Sequence, residues 1–502
     1  MCGIVGVVTH RSATPSISDA ALIAMRDALA HRGPDDAGIW RQGHAALAHR
    51  RLAVIDPDPR SNQPFLSPCG KHAIVYNGEL YNDADLRRDL SALGVCFRAT
   101  SDTETVLHAL ITWGDAALAR FRGMFALAWV DLTADRLLLA RDPLGIKPLV
   151  WTRVPTRHGV EIAFASEAHA LAHHPAISLR PDLPTVSAYL TTIRLTLGER
   201  TLFDGVRTLT PGQTLAFDLS RPELPAAARE IPWPVPEPRQ PLRSQVVASV
   251  EAHLRSDVPL CVMLSGGLDS SILAAIASAR VPSLHTFASG DDASRASPDS
   301  DFAHARAVAA HVGSIHHEAP VTRDDFARLW PDMVARLGVP LSTPNETAIH
   351  TVARALRRMG MVVALSGEGA DELFAGYDQP LEQALAYERT GQRTDADRGL
   401  FQLAASSWAT LDAKAQILQP GQWRTLERDE QLRVFYQHEF ERLAQAEISA
   451  GHRSDRARRK RQRRDDLWLR PGDLHAGNQG HALPDQRSVR GGADNGPDEV
   501  PV

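Results

Sequence analysis

The chain has 502 residues, 43% hydrophobic and 23% charged, which places it among ordinary globular proteins rather than disordered or membrane chains. With 55 Lys and Arg against 60 Asp and Glu the formal net charge is −5, which excludes the positive field that dominates nucleic-acid affinity. The 4 cysteines are too scattered for a disulfide framework or a structural zinc site, and no apolar stretch reaches the ~18 to 20 residues that span a bilayer. The expectation is two or three domains, small-molecule substrates, no nucleic-acid or membrane partner, and a reducing, cytoplasmic setting.

Residues Met1 to Val8 are apolar from the start, lack a preceding basic region, and read as a buried first strand rather than a secretory segment. Cys2 follows the initiator Met, and a small second residue favours removal of that Met. The freed α-amino group, with an ordinary pKa of about 7.7 to 8.0, could then serve as base for its own thiol. Taken alone, a Cys at position 2 is more often just part of a strand.

Up to about residue 200 short apolar runs such as Ala73–Tyr76, Phe125–Val130 and Leu137–Leu139 alternate with turn signals, and one helical stretch, Asp83 to Leu93, interrupts them. Prolines 222, 225, 232, 234, 236, 238 and 241 then mark a domain boundary, because no helix or central strand tolerates that density. Beyond it strands and helices alternate: Leu260–Leu264, a helix from Ser271 to Ser278, a strand and turn over Leu284–Gly290, a helix from Ala348 to Arg358, and the strand Met361–Leu365. Such alternation predicts a parallel sheet with ligands at the carboxyl ends of its strands. His316 and His317 lack a ligand set at workable spacing and are read as a solvated turn. After about residue 450 an Arg-rich run and a Gly, Asp, Gln and Pro-rich tail show no apolar periodicity.

The first part also carries, in order, His31-Arg32-Gly33-Pro34-Asp35, His49-Arg50-Arg51-Leu52, Tyr76-Asn77-Gly78-Glu79-Leu80-Tyr81-Asn82, Ser101-Asp102-Thr103-Glu104 and Arg141-Asp142-Pro143-Leu144-Gly145-Ile146-Lys147-Pro148. Together with Cys2 this series resembles the class II glutamine amidotransferase domain, an N-terminal-nucleophile glutaminase of stacked antiparallel sheets, α+β in class. The resemblance implies Cys2 as nucleophile and Asn77 with Gly78 as oxyanion donors. It also implies Arg51 as the partner of the glutamine carboxylate, with Glu79 and Asp102 receiving the ammonium end. A surface ion pair for Arg51 and a helix N-cap for Asp102 are the plainer alternatives.

Directly after the strand at 260–264 comes Ser265-Gly266-Gly267-Leu268-Asp269-Ser270-Ser271, then an apolar helix. Two glycines permit close backbone approach to an anion, and the helix start presents free N–H groups. No Gly-Lys-Ser/Thr follows, so this is no Walker A loop. It resembles instead the loop of ATP-pyrophosphatase-type adenylating enzymes, in an α/β parallel-sheet domain. Leu365-Ser366-Gly367-Glu368-Gly369-Ala370-Asp371 repeats the Ser-Gly plus acid arrangement about a hundred residues later. The resemblance implies that Leu264, Ser265, Gly266, Gly267, Asp269, Ser270, Ser289, Ser366 and Gly367 bind ATP. Asp269 and Asp371 would hold Mg²⁺ against the phosphates, and Glu368 would accept a proton from attacking ammonia or merely orient a neighbour.

A class II glutaminase followed by a Ser-Gly-Gly-Leu-Asp-Ser domain resembles the glutamine-hydrolysing asparagine synthetase family over about residues 1 to 445. This divides the chain into a glutaminase domain (2–205), a Pro-rich connection (206–242), a synthetase domain (243–450) and a tail (451–502). The implied substrates are glutamine, aspartate and ATP, with Mg²⁺ and a β-aspartyl-AMP intermediate; a homodimer is left open. The segment Leu341–His350 resembles the family's substrate side only loosely, which leaves another carboxylate acceptor open. An Arg-Xaa-Pro-Phe-Xaa-Asp element and a substrate-facing Lys are missing after the second loop. With 4 Lys against 51 Arg the chain has the bias of GC-rich coding, and the tail is expected to be disordered or read out of frame. A product retaining only glutaminase activity and ATP binding is the alternative.

Overall fold

The strand Gly3–Thr9 is buried along its whole length, which is why it reads as a continuous apolar run. In the computed structural model, which describes residues 1–157, 159–232, 241–374, 376–391 and 395–451, it pairs antiparallel with Ala45–Arg51 and with Gly159–Ala165 inside an eight-stranded sheet. A second antiparallel sheet of six strands is built around His72–Leu80, Gly123–Asp131 and Arg136–Arg141. The inner faces meet in a core that includes Ile4, Leu47, Val75, Ala128, Leu139 and Phe164. Val5 and Val7, pointing the other way, pack under the helix Asp19–Asp27 through Leu22 and Met25. The helices Asp83–Ala92 and Asp102–Trp113 cover the outside of the second sheet. The result is the stacked-sheet α+β plan expected from the motifs, with the central strands of both sheets buried on two faces.

Three expectations are corrected. The first domain carries more helix than the one stretch at 83–93: Asp19–Asp27, Asp102–Trp113 and Leu183–Thr192 are also helical. The Asp102 helix is buried over most of its residues, so it lacks the alternating polar face that would have marked it. The segment from 206 is not simply a connection, because Gln213–Asp218 and Ala226–Glu230 extend the second sheet beside Arg136–Arg141. Pro222 and Pro225 fall in the loop between those two strands, and Ile231 closes the core, while residues 233–240 lie outside those described. His316 and His317 belong to the strand Ile315–Val321 rather than a solvated turn. His317 Nε2 lies 2.9 Å from His285 Nδ1, and His316 Nδ1 lies 3.0 Å from Thr286 Oγ1.

The second domain holds a four-stranded parallel sheet in the order Ile315–Val321, His285–Asp291, Leu260–Met263, Val363–Leu365. Strand order reverses between Leu260–Met263 and Val363–Leu365, and that switch point leaves a crevice at the strands' carboxyl ends. The helices Leu268–Ser278 and Asp301–Val312 pack on one face through Ala274, Ala277, Phe302 and Ala305. Asn345–Arg358 covers the other through Val352 and Leu356.

Towards the C-terminus, Lys414 is fully buried and paired with Asp429, and its ammonium also donates to Ser187 and Thr191 of the helix Leu183–Thr192. Met1–Glu439 forms one unit; Phe440–Val502 forms another, whose described part is the end of the helix Glu430–Gly451. The tail to which disorder or a shifted frame was assigned lies outside the described residues from 452 on.

Gly33 shows how closely the first domain is packed around its motifs. A Cβ there would stand 2.3 Å from the carbonyl carbon of Arg50 and 2.6 Å from the nitrogen of Arg51. Gly33→Ala must therefore displace the strand end that carries Arg51. We predict a loss of about 1 to 3 kcal/mol, read as a lower melting temperature in calorimetry.

Candidate active site

Four pieces of chain converge at one end of the sheet sandwich. Cys2 precedes the first strand, Arg51 ends the neighbouring one, Asn77, Gly78 and Glu79 lie near the end of His72–Leu80, and Asp102 opens the helix Asp102–Trp113. All six line one cavity of about 320 Å³.

The Cys2 N–H donates to Asn77 Oδ1 at 3.0 Å, and the thiol lies 3.5 Å from the Leu52 N–H and 3.7 Å from the Leu52 carbonyl. Asn77 Nδ2 is buried and, among the described residues, has no partner. A buried donor normally finds an acceptor, so this one is available to an oxygen entering the cavity. Burial pushes the Met1 α-amino group down to about 5, with Arg32 and Lys147 adding to the effect and the Cys2 thiol opposing it.

The opposite wall is acidic. Burial, with the neighbouring Asp102 carboxylate adding to it, raises Glu79 to about 7, while Lys147 and Arg255 pull the other way. Burial also raises Asp102 to about 6, opposed by the Leu80 N–H that it accepts at 2.9 Å. Glu79 Oε1 is itself buried without a described partner. Two crowded carboxyl groups of this kind fit a bound ammonium, which would hold both ionised. Ser101, not Asp102, caps the helix: its side chain accepts from Thr103 N–H, which leaves Asp102 facing the cavity.

Arg51 is no surface ion pair. It is buried, and its terminal nitrogens donate to the carbonyls of Ile55, Asp56 and Asp58 and to Asn62 Oδ1. It therefore organises the Leu52–Asp58 loop from within as well as lining the cavity.

Ser265 to Ser270 form a tight loop between a strand end and a helix start. Gly267 is the N-cap, Ser265 Oγ accepts from Gly267 N–H at 3.3 Å, and Ser270 Oγ lies 3.1 Å from Ser265 Oγ. Gly266 has φ +85°, and a Cβ on it would come within 2.4 Å of His304. The second loop touches the first across the switch point, where a Cβ on Gly367 would meet Asp269 Cβ at 3.0 Å and Ser270 N at 3.2 Å. Leu264 is buried beneath, and Ser289 lies near the end of the next strand with Oγ donating to the Ala319 carbonyl at 2.6 Å. Ser366 and Glu368 are exposed on the second loop, and Asp371 starts the short helix Ala370–Phe374. Among the described residues no group of three or more His, Cys, Asp or Glu could hold a metal alone.

Two cations beside the thiol belong to the motifs without standing out in them. Lys147 lines the cavity, and the Asp142 carboxylate, accepting N–H groups of Phe125, Leu144, Ile146 and Lys147, shapes the turn that delivers it. Arg32 donates to the Cys2 carbonyl at 3.0 Å and pairs with Glu167. Both lie in the motifs on which the resemblance rests, and a basic residue beside a nucleophile was the available signal.

Comparison with known proteins agrees with these two halves. Residues 1–224 match the glutamine amidotransferase domain family and residues 241–479 the asparagine synthase family. The chain is similar to asparagine synthetase [glutamine-hydrolyzing] 3 of Bacillus subtilis, 32% identical over 400 residues that cover 75% of this chain and 63% of that protein. It is also similar to asparagine synthetase B of Escherichia coli, 32% identical over 394 residues covering 75% and 65%. A putative asparagine synthetase of Mycobacterium tuberculosis is 34% identical over 406 residues, covering 75% and 60%. The chain thus spans less than two thirds of the length of these relatives. Among solved structures, the glutamine phosphoribosylpyrophosphate amidotransferase of Bacillus subtilis aligns at a TM-score of 0.33 and 18% identity over 63% of this chain and 66% of that one.

The raised Glu79 group gives a signed prediction for the ligand-free protein. A carboxyl group raised on folding contributes stability that is present below its ordinary pKa of 4.5 and is lost as pH rises through about 7. Glu79→Gln should therefore match the parent near pH 4 and exceed it by about 3 kcal/mol at pH 8. Melting temperatures across pH check this; a difference independent of pH would contradict it.

Proposed function

This chain belongs to the glutamine-hydrolysing asparagine synthetase family, and from that premise we propose that it is an ATP-consuming amide ligase that makes asparagine from aspartate with ammonia taken from glutamine. The observation that carries the reading is the pairing of two built sites in one unit: a thiol-bearing cavity with an unpartnered amide donor, and a glycine-rich loop at the switch point of a parallel sheet.

In the first site the ammonium of glutamine sits on Glu79 and Asp102, and Arg51 faces its carboxylate. After removal of Met1 the Cys2 amine takes the thiol proton, the thiolate adds to the amide carbon, and Asn77 Nδ2 with the Gly78 N–H receives the developing oxyanion. The protonated Cys2 amine returns that proton to the leaving nitrogen, the C–N bond breaks, ammonia departs, and water then releases glutamate from the thioester. Carriage of that ammonia between the sites is part of the proposal, since in water at neutral pH it would become unreactive ammonium.

In the second site the Ser265–Ser270 loop and the helix start at Leu268 hold the phosphates, with Leu264, Ser289, Ser366 and Gly367 beside the adenosine. Asp269 beside the first loop and Asp371 beside the second suit Mg²⁺ held jointly with phosphate oxygens. Bound there, the ion would offset phosphate charge. The aspartate carboxylate attacks the α-phosphate, pyrophosphate leaves, and ammonia displaces AMP with Glu368 taking the proton.

A second reading, glutamine hydrolysis and ATP binding without amide synthesis, is favoured by the missing Arg-Xaa-Pro-Phe-Xaa-Asp element after residue 377 and by Lys414 being buried against Asp429. Mass spectrometry of products from ATP, Mg²⁺, glutamine and aspartate, with other carboxylates as alternative acceptors, separates the two. Asparagine with AMP is expected; glutamate alone, with no AMP for any acceptor, selects the second reading. Cys2→Ala should abolish glutamine use while leaving ammonia-dependent synthesis. Asn77→Ala should lower kcat for glutamine hydrolysis by about 10² to 10³; equal loss of ammonia-dependent synthesis would contradict the two-site scheme.

A further inference from the structure

The glutamine cavity is not walled by the first domain alone. Val362, Val363 and Ala364 of the second domain also line it, and the segment Leu254–Val258, which leads directly into the strand Leu260–Met263 and so into the phosphate loop, packs behind two of its wall segments. On one side the Asp257 carboxylate accepts the Asp56 N–H at 2.8 Å, and the Asp257 N–H donates to the Val54 carbonyl at 3.1 Å, which ties down the Leu52–Asp58 loop from outside. On the other, Arg255 donates to the Leu80 carbonyl at 3.2 Å and to Asp83 Oδ2 at 2.8 Å.

Leu80 is the informative residue. Its N–H is held by Asp102 and its carbonyl by Arg255, so one residue separates the guanidinium from the carboxylate that faces the cavity. Asp83 is buried and also engages Arg87 and Thr105, so its charge has fixed partners, of which Arg255 is the one from the second domain. Tyr81, beside it, lies with its ring 4.0 Å from that of His253.

We propose that Arg255 is a positioning residue of the glutamine site, supplied by the ATP-binding domain, which fixes the Glu79–Leu80 wall and places a cation behind the two carboxylates that receive the substrate ammonium. The inference rests on the glutamine-binding reading given above and adds to it a residue outside the cavity.

The charged and titratable groups around these carboxylates are few. Glu79 is lowered by Lys147 and Arg255 against the burial and Asp102 that raise it. Asp102 is lowered by Arg255 and by its bonds to Leu80 and Tyr76, against burial and Asp83. Removing Arg255 takes away a cation from both lists while leaving Lys147 in place. The ionised, ammonium-binding form then needs a higher pH.

The test is calorimetric titration of glutamine into the Cys2→Ala protein, which cannot turn the substrate over, across about pH 5 to 9. Affinity should fall as pH drops through the carboxylate range. Adding Arg255→Met should move the midpoint of that fall upward by about half a pH unit, weakening binding about threefold on the acidic side. Arg255→Lys, which keeps the charge but not the paired donors, should restore the midpoint. A Met variant with the parent's pH profile would overturn the inference, as would a pH-independent loss shared by Met and Lys. A Cys2→Ala protein that binds no glutamine at any pH would overturn the glutamine site itself.

Discussion

One hydrogen bond organises the first half of the molecule: the Cys2 N–H to Asn77 Oδ1, at 3.0 Å, links the start of one sheet to a strand of the other. A strand buried on both faces has no freedom to slip, because a shift of one residue would exchange the set packed on Phe164 for the set packed under Leu22 and Met25. That fixed register places Cys2 at the mouth of the sandwich. Once Asn77 spends its oxygen on the backbone of Cys2, its amide nitrogen is turned to the cavity with nothing to bond. The same contact thus sets the fold and prepares the donor needed in the proposed chemistry.

Electrostatics divide the cavity into two parts. Near the thiol stand the cations Arg32 and Lys147, which with burial lower the Met1 amine; across from it stand Glu79 and Asp102, both raised mainly by burial, with Asp102 adding to the rise of Glu79 and Asp83 to that of Asp102. An α-amino acid carries one charge suited to the acidic part. The stability lost by crowding the carboxylates is a local cost that a bound ammonium offsets, which is the usual relation between strain at a site and ligand affinity.

Much of this was legible in the sequence because the chemistry sits in short contiguous motifs. Asn77, Gly78 and Glu79 are consecutive, and Ser265 to Ser270 follow a strand whose apolar run is unmistakable. What was illegible depended on tertiary burial. The Asp102–Trp113 helix is covered on nearly every side and has no polar stripe to announce it. The strands Gln213–Asp218 and Ala226–Glu230 were hidden by prolines in the loop that joins them and just beyond the second, which is the edge of its sheet. Arg51 had the right place and a fuller role than expected, since its donors hold a loop of carbonyls that no spacing rule could foresee. The contacts of Arg255 and Asp257 with the first domain join residues some 175 and 201 positions apart, beyond any local pattern.

The central claim is that Cys2, with its own free amine, is the nucleophile. Intact-protein and peptide mass spectrometry after exposure to a glutamine-like electrophile tests it most directly. The account predicts a chain lacking Met1 and carrying one adduct, on Cys2, with protection by glutamine. Retention of Met1, or labelling that falls on Cys69 or Cys96 while Cys2 stays unmodified, would contradict it.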